Sequence, residues 1–290
     1  EYRRQRQMCI RDRNRRLDTI YFGGGTPTTL SADQLDRLLG HMEKCFDMSD
    51  IVELTVEAGR PDSLTIDKLK VLKAHNVGRI SINPQTMNQA TLDIIGRKHT
   101  VEQVKEAFAM AHECGLDNIN VDLIMGLPGE DEAMIHHTLD EVKKLAPTSL
   151  TVHSLAIKRA AALNIWRDKY QAYALNNTDE IIDAAAACAA DMGMEPYYMY
   201  RQKNMAGNFE NVGYSVPGLE CIYNILIMEE KQSIVALGAG ASTKIVMPQD
   251  DGSVRIERIE NVKSVKDYIE RIDEMIERKN GDVFNYLVNN

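Results

Sequence analysis

The run Gly23-Gly24-Gly25-Thr26-Pro27 follows the β-rich stretch Asp18 to Phe22 and has the composition of a loop that lets a small molecule come close to the backbone. Glycine, lacking a Cβ, takes up φ > 0 and leaves room beside the chain, while Pro27 fixes the exit and Thr26 adds a hydroxyl. A dinucleotide fingerprint would space its glycines GxGxxG and a phosphate loop would end in Gly-Lys-Ser/Thr, so neither nucleotide-phosphate reading fits. The competing reading is a plain strand-to-helix turn, because Gly and Pro punctuate many loops. Further polar residues recur down the chain: Glu57, then Asn83 and Gln85, then Asp122, then His153 with Ser154. Each has a bland alternative, Glu57 as a solvated loop carboxylate, Gln85 as loop surface, Asp122 as the cap of a buried turn. Arg97 and His99 read equally as surface charges at a helix end. His136 and His137 are adjacent on a helical pattern, about 100° apart around the axis, which does not suit one metal.

The elements that must position these residues alternate. β-rich runs at Asp18 to Phe22, Ile51 to Val56, Gly78 to Asn83, Asn118 to Met125 and Ser149 to Ser154 are separated by amphipathic stretches at Asp33 to Cys45, Thr65 to His75, Val101 to Cys114 and Glu130 to Leu145. Ser31 and Thr65 stand at N-cap positions, and Ser31 with Gln34 approximates a capping box. Strict alternation implies parallel strands joined by crossovers: a β/α barrel, open or closed, or a doubly wound sheet. The polar residues fall where strands end, the rim on which a β/α barrel carries its site. One such residue is chance; a succession of them points to a shared ligand at the mouth.

Composition narrows the function. The 290 residues are 44% hydrophobic and 27% charged with net charge -9, an ordinary globular balance with a substantial core. The acidic excess excludes a general nucleic-acid-binding face, and no apolar run is long enough for a membrane span, so a cytoplasmic location is expected. The five cysteines, at 9, 45, 114, 188 and 221, show no paired spacing, which argues against disulfides and closed zinc sites. Cys45, Cys114 and Cys188 are expected as buried, inert thiols. Residues 1–16 hold seven Arg, and the stretch MCIRDR resembles translated sequencing-adapter read-through. They are expected to be non-native or disordered.

Taken in order, YFGGGTPT at 21–28, TVEAGRPDSLT at 55–65, RISINPQTM at 79–87, IGRKHT at 95–100 and NVDLIMGLPGE at 120–130 resemble the radical S-adenosylmethionine (SAM) enzymes of the oxygen-independent coproporphyrinogen III oxidase group, in particular their HemZ-type members. The likeness continues through SLTVHSLAIKRAA at 149–161, YYMYRQKNMAGN at 197–208 and LGAGAS at 237–242. It implies an α/β fold, a partial (β/α)6-type barrel over residues 17–160, followed at 161–290 by an accessory α+β region over the mouth. It implies SAM as a cofactor, its aminoacyl end held by Gly24, Gly25 and Thr26, with Glu57, Gln85, Arg97 and Asp122 completing the pocket and Ala156 near the adenine. The types suit the ligand: an ammonium needs acceptors, a carboxylate needs a donor such as Arg97, and ribose hydroxyls suit Gln85 and Asp122.

The resemblance also implies a [4Fe–4S] cluster held by CxxxCxxC upstream of GGGTP, and here the chain departs from the pattern, since only Cys9 precedes those glycines. Cluster ligation needs thiolates. The chain as written is therefore expected to be inactive by itself. In the group, an electron from the cluster cleaves SAM, and the resulting 5′-deoxyadenosyl radical takes hydrogen from a propionate. Loss of CO₂ and one electron leaves a vinyl group. A porphyrinogen substrate and an unidentified electron donor are the implied partners, and Lys158, Arg159, Arg201 and Lys203 are candidates for the substrate carboxylates. The alternative is a HemW-type heme chaperone, which carries a C-terminal His-Asn pair whose His is the expected heme ligand; VPGLECIYN at 216–224 places Tyr223 at that His, which favours the oxidase. Past residue 160, Thr178 to Met192 reads as a helix, Tyr197 to Gln202, Tyr223 to Met228 and Ser233 to Leu237 as strands, and Val265 to Arg278 as a helix.

Overall fold

The computed structural model describes residues 16–155, 178–200 and 210–289, the last eight of these by backbone alone. It divides into two compact units. Arg16–Ile222 forms one; Tyr223–Asn290 belongs to the other.

In the larger unit, β1 (Thr19–Phe22), β2 (Glu53–Glu57), β3 (Arg79–Ser81), β4 (Ile119–Met125) and β5 (Ser149–Ser154) lie side by side and parallel in chain order. Between them run α1 (Ala32–Cys45), α2 (Ile66–Ala74), α3 (Gln89–Ile94) with α4 (Val101–Glu113), and α5 (Glu132–Leu145). The parallel order follows from the sequence alternation, because a strand that must be followed by a helix can rejoin the sheet only by a crossover. After α6 (Asp179–Asp191), β6 (Glu195–Tyr200) and β7 (Asn211–Ser215) extend the sheet to seven strands in the order β1-β2-β3-β4-β5-β7-β6. β7 is antiparallel to both neighbours, so β6 again runs with the first five. The sheet curls into a half-barrel.

Helix starts are set locally. Ser31 and Gln34 close the expected capping box, the Ser31 amide donating to Gln34 Oε1 (2.9 Å) and the Gln34 amide to Ser31 Oγ (3.2 Å). Thr100 and Gln103 form a second one. The apolar face of the strands, including Leu54, Ile80, Val121, Leu123 and Leu150, shares one buried cluster with residues of α1, α2, α4, α5 and α6. The alternate residues face the other way, into the half-barrel, and most are polar: Tyr21, Thr55, Glu57, Arg79, Asn120 and Asp122.

Several expectations beyond residue 160 are corrected. Asn211–Ser215 is a strand that was not expected, because its few apolar residues carry no periodic signal and Gly213 weakens its propensity. Tyr223 to Met228 is not a strand but lies in α7 (Ile222–Glu229); a short continuous apolar run does not distinguish the two periods. Ser233 to Leu237 makes only the single bridge Ile234–Lys244. The hairpin of the second unit is instead β8 (Ser242–Pro248) with β9 (Val254–Glu260). The last helix is two, α8 (Val265–Glu270) and α9 (Ile272–Asn289), broken at Arg271.

Candidate functional site

The site begins at the end of β1. Tyr21, on the inner face, donates its hydroxyl to Glu57 Oε1 at 2.5 Å, and the Gly24 amide donates to Glu57 Oε2 at 3.3 Å. Glu57 is the last residue of β2, so this carboxylate ties the glycine loop to the neighbouring strand. The loop needs its glycines. A Cβ on Gly23 would stand 2.4 Å from the Tyr21 ring, whereas Gly24 and Gly25 have φ of 73° and 81° and open space where a side chain would be. Thr26 precedes the single helical turn Pro27–Thr29, and its carbonyl accepts from Thr29. Burial, and then the negative charge of Glu57, raise the pKa of Tyr21, so the phenol stays protonated as a donor.

The second half is built on β3 and β4. Gln85 is buried and left-handed (φ 68°), an unusual backbone for a residue with a side chain. Two hydrogen bonds hold it there: its amide donates to the Asp122 carbonyl (3.1 Å) and its carbonyl accepts from Ile124 (3.0 Å). A polar staple fixes the loop that follows. Thr86 donates to the buried Glu130 carboxylate (2.5 Å), Asn88 Nδ2 donates to the same oxygen (3.0 Å), and the Met87 amide donates to Thr138 (3.1 Å). Asp122 accepts from Asn120 Nδ2 at 2.7 Å, and its other oxygen lies 3.9 Å from His153 Nε2. The charge of Asp122 adds a smaller upward push to the pKa of the Tyr21 phenol than that of Glu57.

Arg97 is reached through its neighbour. His99 is 2% exposed, not the surface residue expected, and its Nε2–H donates to the Pro84 carbonyl (3.2 Å), joining the Arg97 loop to the residue before Gln85. Desolvation depresses the pKa of His99, which keeps it neutral. Desolvation and then the nearby Arg60 lower that of Arg97. Arg60 is paired with Asp62 (2.5 Å), while Arg97 has no carboxylate partner among the described residues, leaving a cation available to an anionic group.

The structure thus brings Gly24, Gly25, Thr26 and Glu57 together on one side and Gln85 with Asp122 on the other. Ala156, Lys158, Arg159, Arg201 and Lys203 lie outside the described residues, as do Cys9 and residues 1–15. His136 is exposed on α5, as expected for helix surface. Of the thiols, Cys188 is buried, while Cys45 and Cys114 are only partly so, because each sits at the end of its helix. The reading of strand ends missed Tyr21, Arg79 and Asn120. Their signal was the strand alternation itself, which sets polar residues at every second position of β2, β3 and β4.

A model of the radical SAM superfamily matches residues 6–142. The chain carries a radical SAM domain. It is 45% identical over 271 residues to the oxygen-independent coproporphyrinogen-III oxidase-like protein HemZ of Bacillus subtilis, covering 93% of this chain and 54% of that one. It is 34% identical over 229 residues to the heme chaperone HemW of Lactococcus lactis, covering 78% of this chain and 57% of that one. Among solved structures, coproporphyrinogen III oxidase (HemN) from Escherichia coli matches with a TM-score of 0.67 at 21% identity, over 92% of this chain and 60% of that one. That match establishes the fold. The chain spans little more than half the length of these two curated relatives.

The radical SAM domain implies SAM and an iron–sulfur cluster. The residues present fit SAM: two left-handed glycines open to solvent space, a carboxylate whose oxygens each have a lone pair to spare, and a guanidinium with no carboxylate partner among the described residues match an amino acid's ammonium and carboxylate. They do not fit the cluster. No three cysteines of the chain lie close in sequence, and no group of three or more His, Cys, Asp or Glu among the described residues is arranged to hold a metal ion. No helix among the described residues is long and apolar enough to cross a membrane.

Proposed function

We propose that this chain is the SAM-holding part of a protein that decarboxylates coproporphyrinogen III oxidatively to protoporphyrinogen IX. The observation that carries the binding half of this reading is Glu57, whose carboxylate is held between the Tyr21 hydroxyl and the Gly24 amide beside two glycines that leave open space. The oxidase half is supported by the 45% identity to HemZ.

When bound, SAM supplies the group that takes hydrogen from the substrate. Everything else here is positioning. Glu57 and the carbonyls of Gly24 and Gly25 accept from the ammonium, Arg97 donates to the carboxylate, and Gln85 with Asp122 accept from ribose hydroxyls. Thr26 lines the aminoacyl end, and Ala156 is assigned to the adenine. Lys158, Arg159, Arg201 and Lys203 are assigned to the carboxylates of the porphyrinogen. An unidentified electron donor and the cluster thiolates are needed for turnover, and this chain holds no such thiolate set.

Calorimetric titration with S-adenosylhomocysteine tests the binding half. Glu57→Gln keeps the shape but removes the charge and should weaken binding about tenfold or more, the worth of one charge-assisted hydrogen bond. Equal binding by wild type and Glu57→Gln, or none by wild type, refutes it. Heme titration separates the oxidase from the chaperone, to which the HemW relatives point: a stoichiometric Soret shift supports the chaperone.

A further inference from the structure

The inner face carries a charge that stability does not explain. Arg79 is 4% exposed and, among the described residues, has no carboxylate partner within ion-pair distance and makes one side-chain hydrogen bond, from Nη2 to Asn120 Oδ1 at 3.1 Å. Its Nε has no partner, and neither do Thr55 Oγ1 across the ladder and Ser81 Oγ two residues on. A guanidinium buried this way and bonded to a neutral amide is unfavourable in itself, since unpaired buried charge and orphaned donors both destabilise a fold.

What Arg79 does is fix the amide. Asn120 has an oxygen end and an NH₂ end of nearly the same shape, and only its partners decide which way it points. Its Oδ1 accepts from Arg79 and from Thr151 Oγ1 (3.2 Å), and its Nδ2 donates to Asp122 Oδ1 (2.7 Å). The Thr151 hydroxyl can turn and accept as well as donate; a guanidinium can only donate. Arg79, which only donates, and Asp122, which only accepts, therefore hold the amide from its two ends, and Arg79 anchors the oxygen end so that Nδ2 stays on Asp122 Oδ1. With Oδ1 of Asp122 accepting from Asn120, Oδ2 is the oxygen with both acceptor sites open among the described residues, with His153 Nε2 3.9 Å away.

We propose that Arg79 is a positioning residue of the ligand site: through Asn120 it sets which oxygen of Asp122 is presented to a nucleoside hydroxyl. This rests on the reading of Asp122 as a SAM contact. The test uses the full chain, with S-adenosylhomocysteine as probe and the side-chain ¹H–¹⁵N pair of Asn120 as a second readout. In wild type one amide proton, bonded to a carboxylate, resonates downfield of its partner and exchanges slowly. Arg79→Met, of similar volume, should shift that proton upfield, speed its exchange and bind the probe about tenfold more weakly, while Arg79→Lys, which still donates, should recover binding to within a few fold. A merely structural role would not make the amide signal follow the donor. Arg79→Met with the wild-type signal and binding within twofold of wild type overturns the proposal. If Arg79→Met does not fold, Asn120→Ser replaces it, and a folded Asn120→Ser that binds like wild type overturns the proposal equally. Failure of wild type to bind the probe would refute the SAM reading, while the Asn120 signal in Arg79→Met would still decide the relay.

Discussion

The two faces of the same strands follow opposite rules. On the helix side Ile80, Val121, Leu123 and Leu150 have no exposed surface and sit in one continuous apolar cluster. On the inner side, one residue away along each strand, stand Thr55, Arg79, Asn120 and Thr151, nearly as buried but polar, and Thr55 and Arg79 retain atoms with no partner. Since side chains alternate strictly across a strand, both faces are set by one register and cannot be tuned independently. The difference teaches that the helix side supplies stability and the inner side gives some of it up to hold groups ready for a ligand.

Three substitutions or conditions break this contrast, in decreasing size of effect. Leu123→Ala should destabilise by about 2–5 kcal/mol in denaturant unfolding, the usual range for a fully buried leucine, without directly touching the inner face. Thr55→Val should do the reverse and stabilise by roughly 1 kcal/mol, because a methyl replaces a buried hydroxyl that bonds to nothing; a loss of stability would show that the hydroxyl has a partner in solution. The smallest effect lies outside the sheet. His75, at the end of α2, is held between Glu43 (2.8 Å) and Asp36 (3.0 Å) of α1. Burial alone would lower its pKa, and the two carboxylates more than reverse this, so the folded value is raised above the ordinary 6.5. The stabilisation is therefore complete below about pH 6.5 and is lost as pH climbs through the folded value. The melting-temperature gap between wild type and His75→Gln should narrow from pH 6 to pH 8.5, and a constant gap would contradict it.

Much of the barrel was legible because each strand from β1 to β5 is short, rich in β-formers and followed by turn residues, and α1, α2, α4 and α5 each have a capping side chain and an apolar stripe. Ser149–Ser154 was read to the residue. Past residue 160 the signals fail for identifiable reasons. β7 is held by its neighbours rather than by its own propensity: Asn211 Oδ1 accepts from the Ser154 amide, and the Tyr198 ring occupies the space a side chain on Gly213 would fill. The run from Ile222 to Met228 is apolar throughout, and local periodicity could not tell helix from strand. In the site, Glu57 stood out because it ends β2, Gln85 because it follows β3, and Asp122, in the middle of β4, through its place in that series. Tyr21, Arg79 and Asn120 did not, because a polar residue in mid-strand looks like ordinary alternation until the register shows what it faces.

The imidazole of His99 has a consequence at a distance. Its bond to the Pro84 carbonyl links two loops of the β3–β4 crossover, the one that leaves β3 and the one that joins α3 to α4, so the residues they carry, Gln85 and Arg97, are coupled. A drift in either loop is passed to the other through a side chain whose only hydrogen bond among the described residues is that link. Tolerance to substitution at position 99 would thus be governed by the spacing between those two loops, a mechanical coupling across the rim.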